Sequence, residues 1–325
     1  MRTQQKLFDR NRLKLKPLAE RKHDLDLSII QLLSASKNLI DAKWREIAAR
    51  TIKAKSAGAA IILMLGGHVI RSGVQNYLID LMERGYVSCL AVNGAILIHD
   101  FELALIGKTT ESVARYIKEG QFGLWQETGR INDIINEAYK NGDDIGLGEA
   151  IGQAIHEGNF PHKEISLFAT AYRLNIPITV HVGIGYDIIH EHPNCDGAAT
   201  GALSYNDFLK FAAVVQNLEN GIVMNFGSAV MAPEVFLKAL SMARNVAFQK
   251  GHSICHFTTV VCDLLDLPNH EQEPAKNDHR YYFRPWKTML IRTTSEGGQS
   301  YYIQGRHAET LPILWTAINE AENLQ

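Results

Sequence analysis

Residues 283–292, FRPWKTMLIR, set Trp286 beside Lys287 at the start of a short apolar run. A lysine drawn into a dry pocket beside an indole loses charge stabilisation, its pKa falls, and the free amine becomes available for imine formation. A lysine beside a strand can equally point to water, and the sequence leaves both readings open. A second concentration, HVGIGYDIIHEHPNCDG over 181–197, holds three histidines and two aspartates. His181, His190, His192 and Asp196 could ligate a metal, His190 and His192 sharing a face only on an extended segment. Neither an HExxH nor a third spaced cluster accompanies them, and the alternative is a polar substrate loop whose groups bind a ligand or one another. A third stretch, VNGAILIHDFELAL over 92–105, puts His99, Asp100 and Glu102 at a helix start. Asp100 reads there as a helix cap or as a carboxylate for a nucleotide ribose. The segment GGHVIRSG has its glycines at the wrong spacing for the GxGxxG dinucleotide loop.

The elements that must position these groups are strands alternating with helices. Apolar residues at helical spacing predict an amphipathic helix over 29–55, and the apolar run 59–67, closed by two glycines, predicts a buried parallel strand. A helix over 73–84, a strand near 86–95 and a further helix follow. The alternation repeats through ISLFATAYRLN and IPITVHV, YNDFLKFAAVVQNLE and GIVMNFG, and PEVFLKALSMARN with a strand near 253–261. Such alternation predicts an α/β fold, an open, mainly parallel sheet with helices on both faces. Ligands then sit at the carboxyl ends of the strands, where Gly66, Gly67 and His68, Asn93, Gly94 and Ala95, His181 and Gly183, and Gly227 and Ser228 fall. Any one of these glycines could simply make a turn; the set predicts a crevice that a cofactor can approach closely.

With 325 residues, 46% of them hydrophobic, the chain can bury a full core, and we read residues 58–325 as one domain preceded by an arm and helical entry over 1–57. A net charge of −2 excludes a global field that would draw the chain to nucleic acid, although its first two dozen residues are basic. Four scattered cysteines without a CxxC pair, no signal-peptide pattern and no membrane-length apolar run predict a cytoplasmic protein. The polar stretch NHEQEPAKNDHR, 269–280, reads as a surface loop.

From about residue 58 to the end, the order of segments resembles the deoxyhypusine synthase family. The matching pieces are LGGHVIRSGVQNYLIDLMERGYVSCLAVNGA with the acidic HDFE after it, NIPITVHVGIGYDIIHEH, GIVMNFGSAVMAPEVFLKALSMARN and YYIQGRHAETLPILWTAI. The resemblance implies a Rossmann-like NAD-binding fold, a homotetramer with sites between paired subunits, NAD as cofactor and spermidine as donor. The implied reaction is transferase chemistry. An aminobutyl group passes from a polyamine through an enzyme lysine imine to an acceptor amine, a protein lysine or, in the homospermidine synthase branch, putrescine. Carried over by position, the imine lysine falls on Lys287, with Trp286 beside it. His68, Ser72, Asn93, Gly94, Ala95 and Asp100 take places around NAD with Gly67, Gly227, Ser228 and Thr258. Asp187 matches a polyamine-binding aspartate, and His192 joins it as a substrate contact. Two family segments depart here: the one that holds its lysine and substrate histidine has Met231 and Ala232 in their places, and its acidic polyamine segment is replaced by 269–284. The basic stretch 14–27 either covers a neighbouring subunit's entrance or braces the tetramer. These departures leave two alternatives, a relative that keeps the nucleotide crevice without the transfer reaction, and a metal-assisted hydrolase built on the histidines of 181–197.

Overall fold

The computed structural model describes residues 6–324 apart from 143 and 269. The amino-terminal arm contributes β1 (His23–Asp26), and α1 (Ala42–Ser56) starts where the Asp41 carboxylate accepts the Trp44 N–H. Helix α1 is therefore shorter than its apolar spacing predicts. Upstream of Asp41 the backbone donors are spent elsewhere: Gln31 N donates to Gly73 O at 2.8 Å and Ser36 N to Thr316 Oγ1 at 2.8 Å. A helix over 29–41 would forfeit these tertiary bonds.

The main sheet begins with β2 (Ile61–Leu65), buried at all five positions as a doubly covered parallel strand must be. After it come α2 (His68–Arg71), α3 (Gln75–Glu83), β3 (Cys89–Asn93) and α4 (Gly94–Ile106). Helix α4 is capped by Asn93, which accepts the Ile96 N–H, and stops at Gly107 in the left-handed region. Then follow β4 (Lys108–Glu111), which pairs antiparallel with β1, and four helices: α5 (Val113–Glu119), α6 (Arg130–Asn141), α7 (Leu147–Glu157) and α8 (Leu167–Arg173). The remaining strands and α-helices are β5 (Ile178–His181), α9 (Gly197–Val215), β6 (Ile222–Phe226), α10 (Met231–Gln249), β7 (Thr258–Asp263), β8 (Gln299–Gln304) and α11 (His307–Glu322). A π-helical segment, Trp286–Arg292, lies between β7 and β8.

Six strands form one parallel sheet in the order β5-β3-β2-β6-β7-β8. Counted along the chain, that is 3-2-1-4-5-6, the Rossmann arrangement, with its reversal between β2 and β6. Alternate side chains divide the core. Ile61, Leu63 and Leu65 pack with α1, α3, α4 and α11 on one face; Ile62 and Met64 pack with α9, α10 and the π-helical segment on the other. Among the described residues no helix is long and apolar enough to cross a membrane.

The reversal leaves no room for side chains between the two central strand ends. A Cβ on Gly66 would collide with the carbonyl oxygen of Gly227, which is itself at φ +67°. Gly66→Ala should therefore destabilise the protein by at least about 1–3 kcal/mol, the cost of overpacking, read as a lower urea midpoint at unchanged slope.

Candidate functional site

Beside the reversal, a cavity of about 270 Å³ opens, walled by Arg21 from the arm, Arg71 after β2, His99 on α4, Glu111 on β4, and Tyr186 and Asp187 from the loop after β5. Ala95, Ile98, His99 and Glu102, at positions i, i+3, i+4 and i+7 of α4, all face it. Gly94 at the start of that helix has no Cβ because the Asp187 carboxylate occupies the space. Burial pushes Asp187 up to about 6.

Below the cavity lies Glu102, a carboxylate almost completely excluded from water. Arg21 grips it in bidentate fashion, Nη1 to Oε1 at 2.9 Å and Nη2 to Oε2 at 2.6 Å, while the hydroxyls of Thr109 and Thr128 each donate at 2.7 Å. Burial opposes its charge, but Arg21 and the two hydroxyls outweigh burial and hold Glu102 below its ordinary value. On the acidic side of the cavity, Glu111 accepts from Gly123 N at 3.0 Å and Trp125 Nε1 at 2.9 Å. Nearby, Glu191 is pushed up to about 7, first by burial and then by the charge of Glu111. Between Thr109 and Glu111, Thr110 stands at φ +62°, a strained setting for a β-branched residue, and its buried Oγ1 has no partner.

The residues singled out from the sequence fall into three groups. Gly67, His68, Ser72, Asn93, Gly94, Ala95, Asp187, Gly227 and Ser228 do gather at the carboxyl ends of the strands. Within this group Asn93 is occupied capping α4, Ser72 donates to His68 O at 2.7 Å, and Ser228 turns its hydroxyl to Ala232 N at 3.1 Å. His68 keeps much of its surface exposed, with Arg71 Nη1 3.4 Å away; partial loss of water around the ring and then that guanidinium lower its pKa.

The second group points elsewhere. Asp100 is buried, accepting from Ser166 Oγ and from Leu167 N at 2.8 Å, so it ties α4 to α8 rather than facing a ribose. Thr258 opens β7 and so lies at the amino end of the sheet, opposite the crevice. His192 is fully buried, its Nε2 donating to Gly123 O at 2.8 Å. Trp286 packs in the α9/α10 face and donates from Nε1 to Gln272 O at 2.9 Å. Lys287 is buried, with 4% of its surface exposed, but its ammonium stands 3.4 Å from the Tyr281 ring centre, a cation–π contact made away from the cavity.

The third group, the metal set, is dispersed by the fold. His181 bonds Thr179 Oγ1 at 3.0 Å, His190 Nδ1 accepts from Gly185 N and Asp187 N at 3.2 Å, and Asp196 caps α9. Among the described residues no group of three or more His, Cys, Asp or Glu side chains could hold a metal ion.

Sequence reading passed over Arg21, Arg71, Glu111 and Tyr186, and gave His99 no role. The i, i+3, i+4, i+7 spacing through Ala95, Ile98, His99 and Glu102 was the available signal for the α4 face. No local pattern brings Arg21 to it.

A family model described as "Arginine dihydrolase ArgZ-like, C-terminal, Rossmann fold" matches residues 45–143. Comparison with curated proteins gave no match. Among solved structures, a protein of Methanococcus maripaludis S2 described as LOR/SDH aligns at TM-score 0.53 and 18% identity, over 89% of this chain and 72% of that one. AgrE, solved as a ternary complex with ornithine and NAD+, aligns at TM-score 0.54 and 16% identity, over 90% of this chain. The chain spans about a third, 34%, of AgrE's length. At these identities the likeness is one of fold. A protein of Entamoeba histolytica described as a deoxyhypusine synthase aligns at TM-score 0.41 and 11% identity, below the level at which likeness carries an argument.

The geometry of Glu102 makes a direct prediction. Arg21→Met leaves a buried, unpaired carboxylate and should cost about 3–5 kcal/mol in urea unfolding, and adding Glu102→Gln should recover a large part of that loss. Equal and additive losses would mean that the pair does not couple.

Proposed function

We propose that this chain is an NAD-dependent enzyme that oxidises the carbon–nitrogen bond of a small amine bound in the cavity. The observation that carries this reading is the juxtaposition of two sites, the strand reversal at Gly66, Gly67 and Gly227 and, beside it, a cavity with Asp187 in its wall. The residues present fit a dinucleotide: backbone is bare where it must be approached closely, Arg71 supplies a cation, and Thr110 Oγ1 is a buried polar atom awaiting a partner. AgrE, which shares the fold, supports the choice of cofactor by having been solved with NAD+.

NAD, when bound, supplies a hydride acceptor for the carbon that carries the amine. The chain's own residues do the rest. Asp187, ionised above pH 6, anchors the substrate ammonium and takes the proton that leaves nitrogen as the C=N bond forms. The ammonium thus loses one hydride and one proton and becomes an iminium. Glu111 adds negative potential on the same side, and Arg71 opposes it, so the cavity suits a molecule with a cationic end.

Aminobutyl transfer through Lys287 is the finer reading, and burial of that lysine favours it. It requires the ammonium to leave Tyr281 and reach the cavity. After incubation with NAD and spermidine and reduction with cyanoborohydride, we expect the Lys287 peptide to keep its mass; a gain of one aminobutyl group would replace direct oxidation by transfer.

NAD at about 100 times its Kd should stabilise the protein by about 2.7 kcal/mol and raise its melting temperature; no shift at millimolar NAD would sink the proposal. The pH dependence of amine binding follows from Asp187. Because folding raises its pKa above the unfolded value, the protonated form contributes its stability at low pH and that contribution is lost as pH rises through about 6. Affinity for spermidine, measured by calorimetry, should therefore climb as pH rises through about 6 and then level, and Asp187→Asn should flatten that rise.

A further inference from the structure

Glu102 dictates the state of a histidine that the amine reading does not use. An ionised carboxylate only accepts, so the Thr109 hydroxyl, 2.7 Å from Glu102 Oε2, must spend its proton there. The same hydroxyl lies 2.9 Å from His99 Nδ1, and with its proton committed it can only accept. His99 Nδ1 therefore carries the ring proton, and Nε2 is left with a bare lone pair. The ring edge holding Nε2 is the one turned toward Gly67: its Cδ2 lies 3.8 Å from where a Gly67 Cβ would stand. Nε2 has no hydrogen-bond partner among the described residues, and His99 lines the cavity.

We propose that His99 is a ligand-contacting, specificity-determining residue: the chain Arg21–Glu102–Thr109 holds it in the Nδ1–H tautomer, and Nε2 accepts a hydrogen bond from an N–H group of the bound molecule while rejecting a molecule that presents an acceptor there. This rests on reading the cavity as the cofactor and amine site. The N–H can come from the carboxamide of the dinucleotide or from the amine itself, since both are donors of the same kind. Burial, aided by Arg71 and opposed by Glu102, pushes His99 down to about 4, so the ring stays neutral at pH 7 and keeps its lone pair. A neutral acceptor discriminates by hydrogen bonding rather than by charge, which complements the carboxylate of Asp187.

The test is nitrogen NMR on the full chain labelled at histidine, with the His99 ring assigned by its disappearance in His99→Asn. At pH 7 we expect a protonated Nδ1 and an unprotonated Nε2; the reverse tautomer would overturn the proposal. Thr109→Val should let the ring populate Nε2–H, and Thr109→Ser, which keeps the hydroxyl, should restore the wild-type pattern; a merely structural Thr109 would leave the tautomer alone in both. If Thr109→Val fails to fold, the wild-type tautomer still decides this part. Ligands are then added in sequence, NAD first and spermidine second, with each binding event established by its melting shift. An upfield move of Nε2 on NAD alone identifies the carboxamide as donor, and a move only on spermidine identifies the amine. No move with both bound overturns the contact. If neither binds, the amine reading fails and the contact falls with it, while the tautomer measurement stands on its own.

Discussion

The buried charge of Glu102 is the constraint around which the rest of the site is arranged. A carboxylate taken out of water costs several kcal/mol unless it is paired and its remaining lone pairs are filled. The four donors that meet this demand come from three separate places: Arg21 in the arm, Thr109 on β4 and Thr128 before α6. The arm is thereby bound into the fold. Its strand β1 pairs with β4, Leu18 packs with Tyr116 and Trp125, and Lys16 exchanges backbone bonds with Leu124 and Gln126. Through Arg21 the basic stretch 14–27 supplies a wall of this chain's own cavity.

The second constraint is the absence of side chains at the strand reversal. Gly66 and Gly227 bring two backbones together so closely that His307, at the start of α11, sits directly over Gly227. Its Nδ1 is buried without a partner, and burial lowers its pKa. The ends of the first and fourth strands of the sheet and the start of α11 thus meet at one point, which is why the sheet order matters more to the site than any short motif. The glycines do not follow the GxGxxG spacing, yet the topology places them where that motif would put its own.

This explains what was legible in the sequence. Parallel strands buried on both faces are continuous apolar runs, so AAIILMLGG, CLAVN and GIVMNFG announced themselves, and the α/β alternation followed. The post-strand glycines were placed at the carboxyl ends of the strands because strand ends are visible in the sequence, whereas Asp187 was singled out only through the resemblance. The pairing of β1 with β4 was not legible, because short, mixed segments such as KTTE and HDLD carry no period that separates strand from loop, whereas α6 and α7 do repeat their apolar residues at helical spacing and were passed over. Asp100 misled because a carboxylate at a helix start has two uses, and the sequence does not show Ser166 and Leu167 waiting for it. Thr258 misled by one strand length: it opens β7, while the crevice lies at the other end.

Helix α4 is where these constraints meet. Its cap, Asn93, ends β3; Gly94 yields its side-chain space to Asp187; Ala95, Ile98 and His99 face the cavity; and Glu102, one turn further, anchors the arm. On the opposite side Asp100 fastens the same helix to α8 through Ser166 and Leu167. A helix fixed on both faces by buried carboxylates cannot rotate to relieve a misplaced side chain. The place His99 takes in the cavity wall is thus set by hydrogen bonds made among the protein's own buried groups.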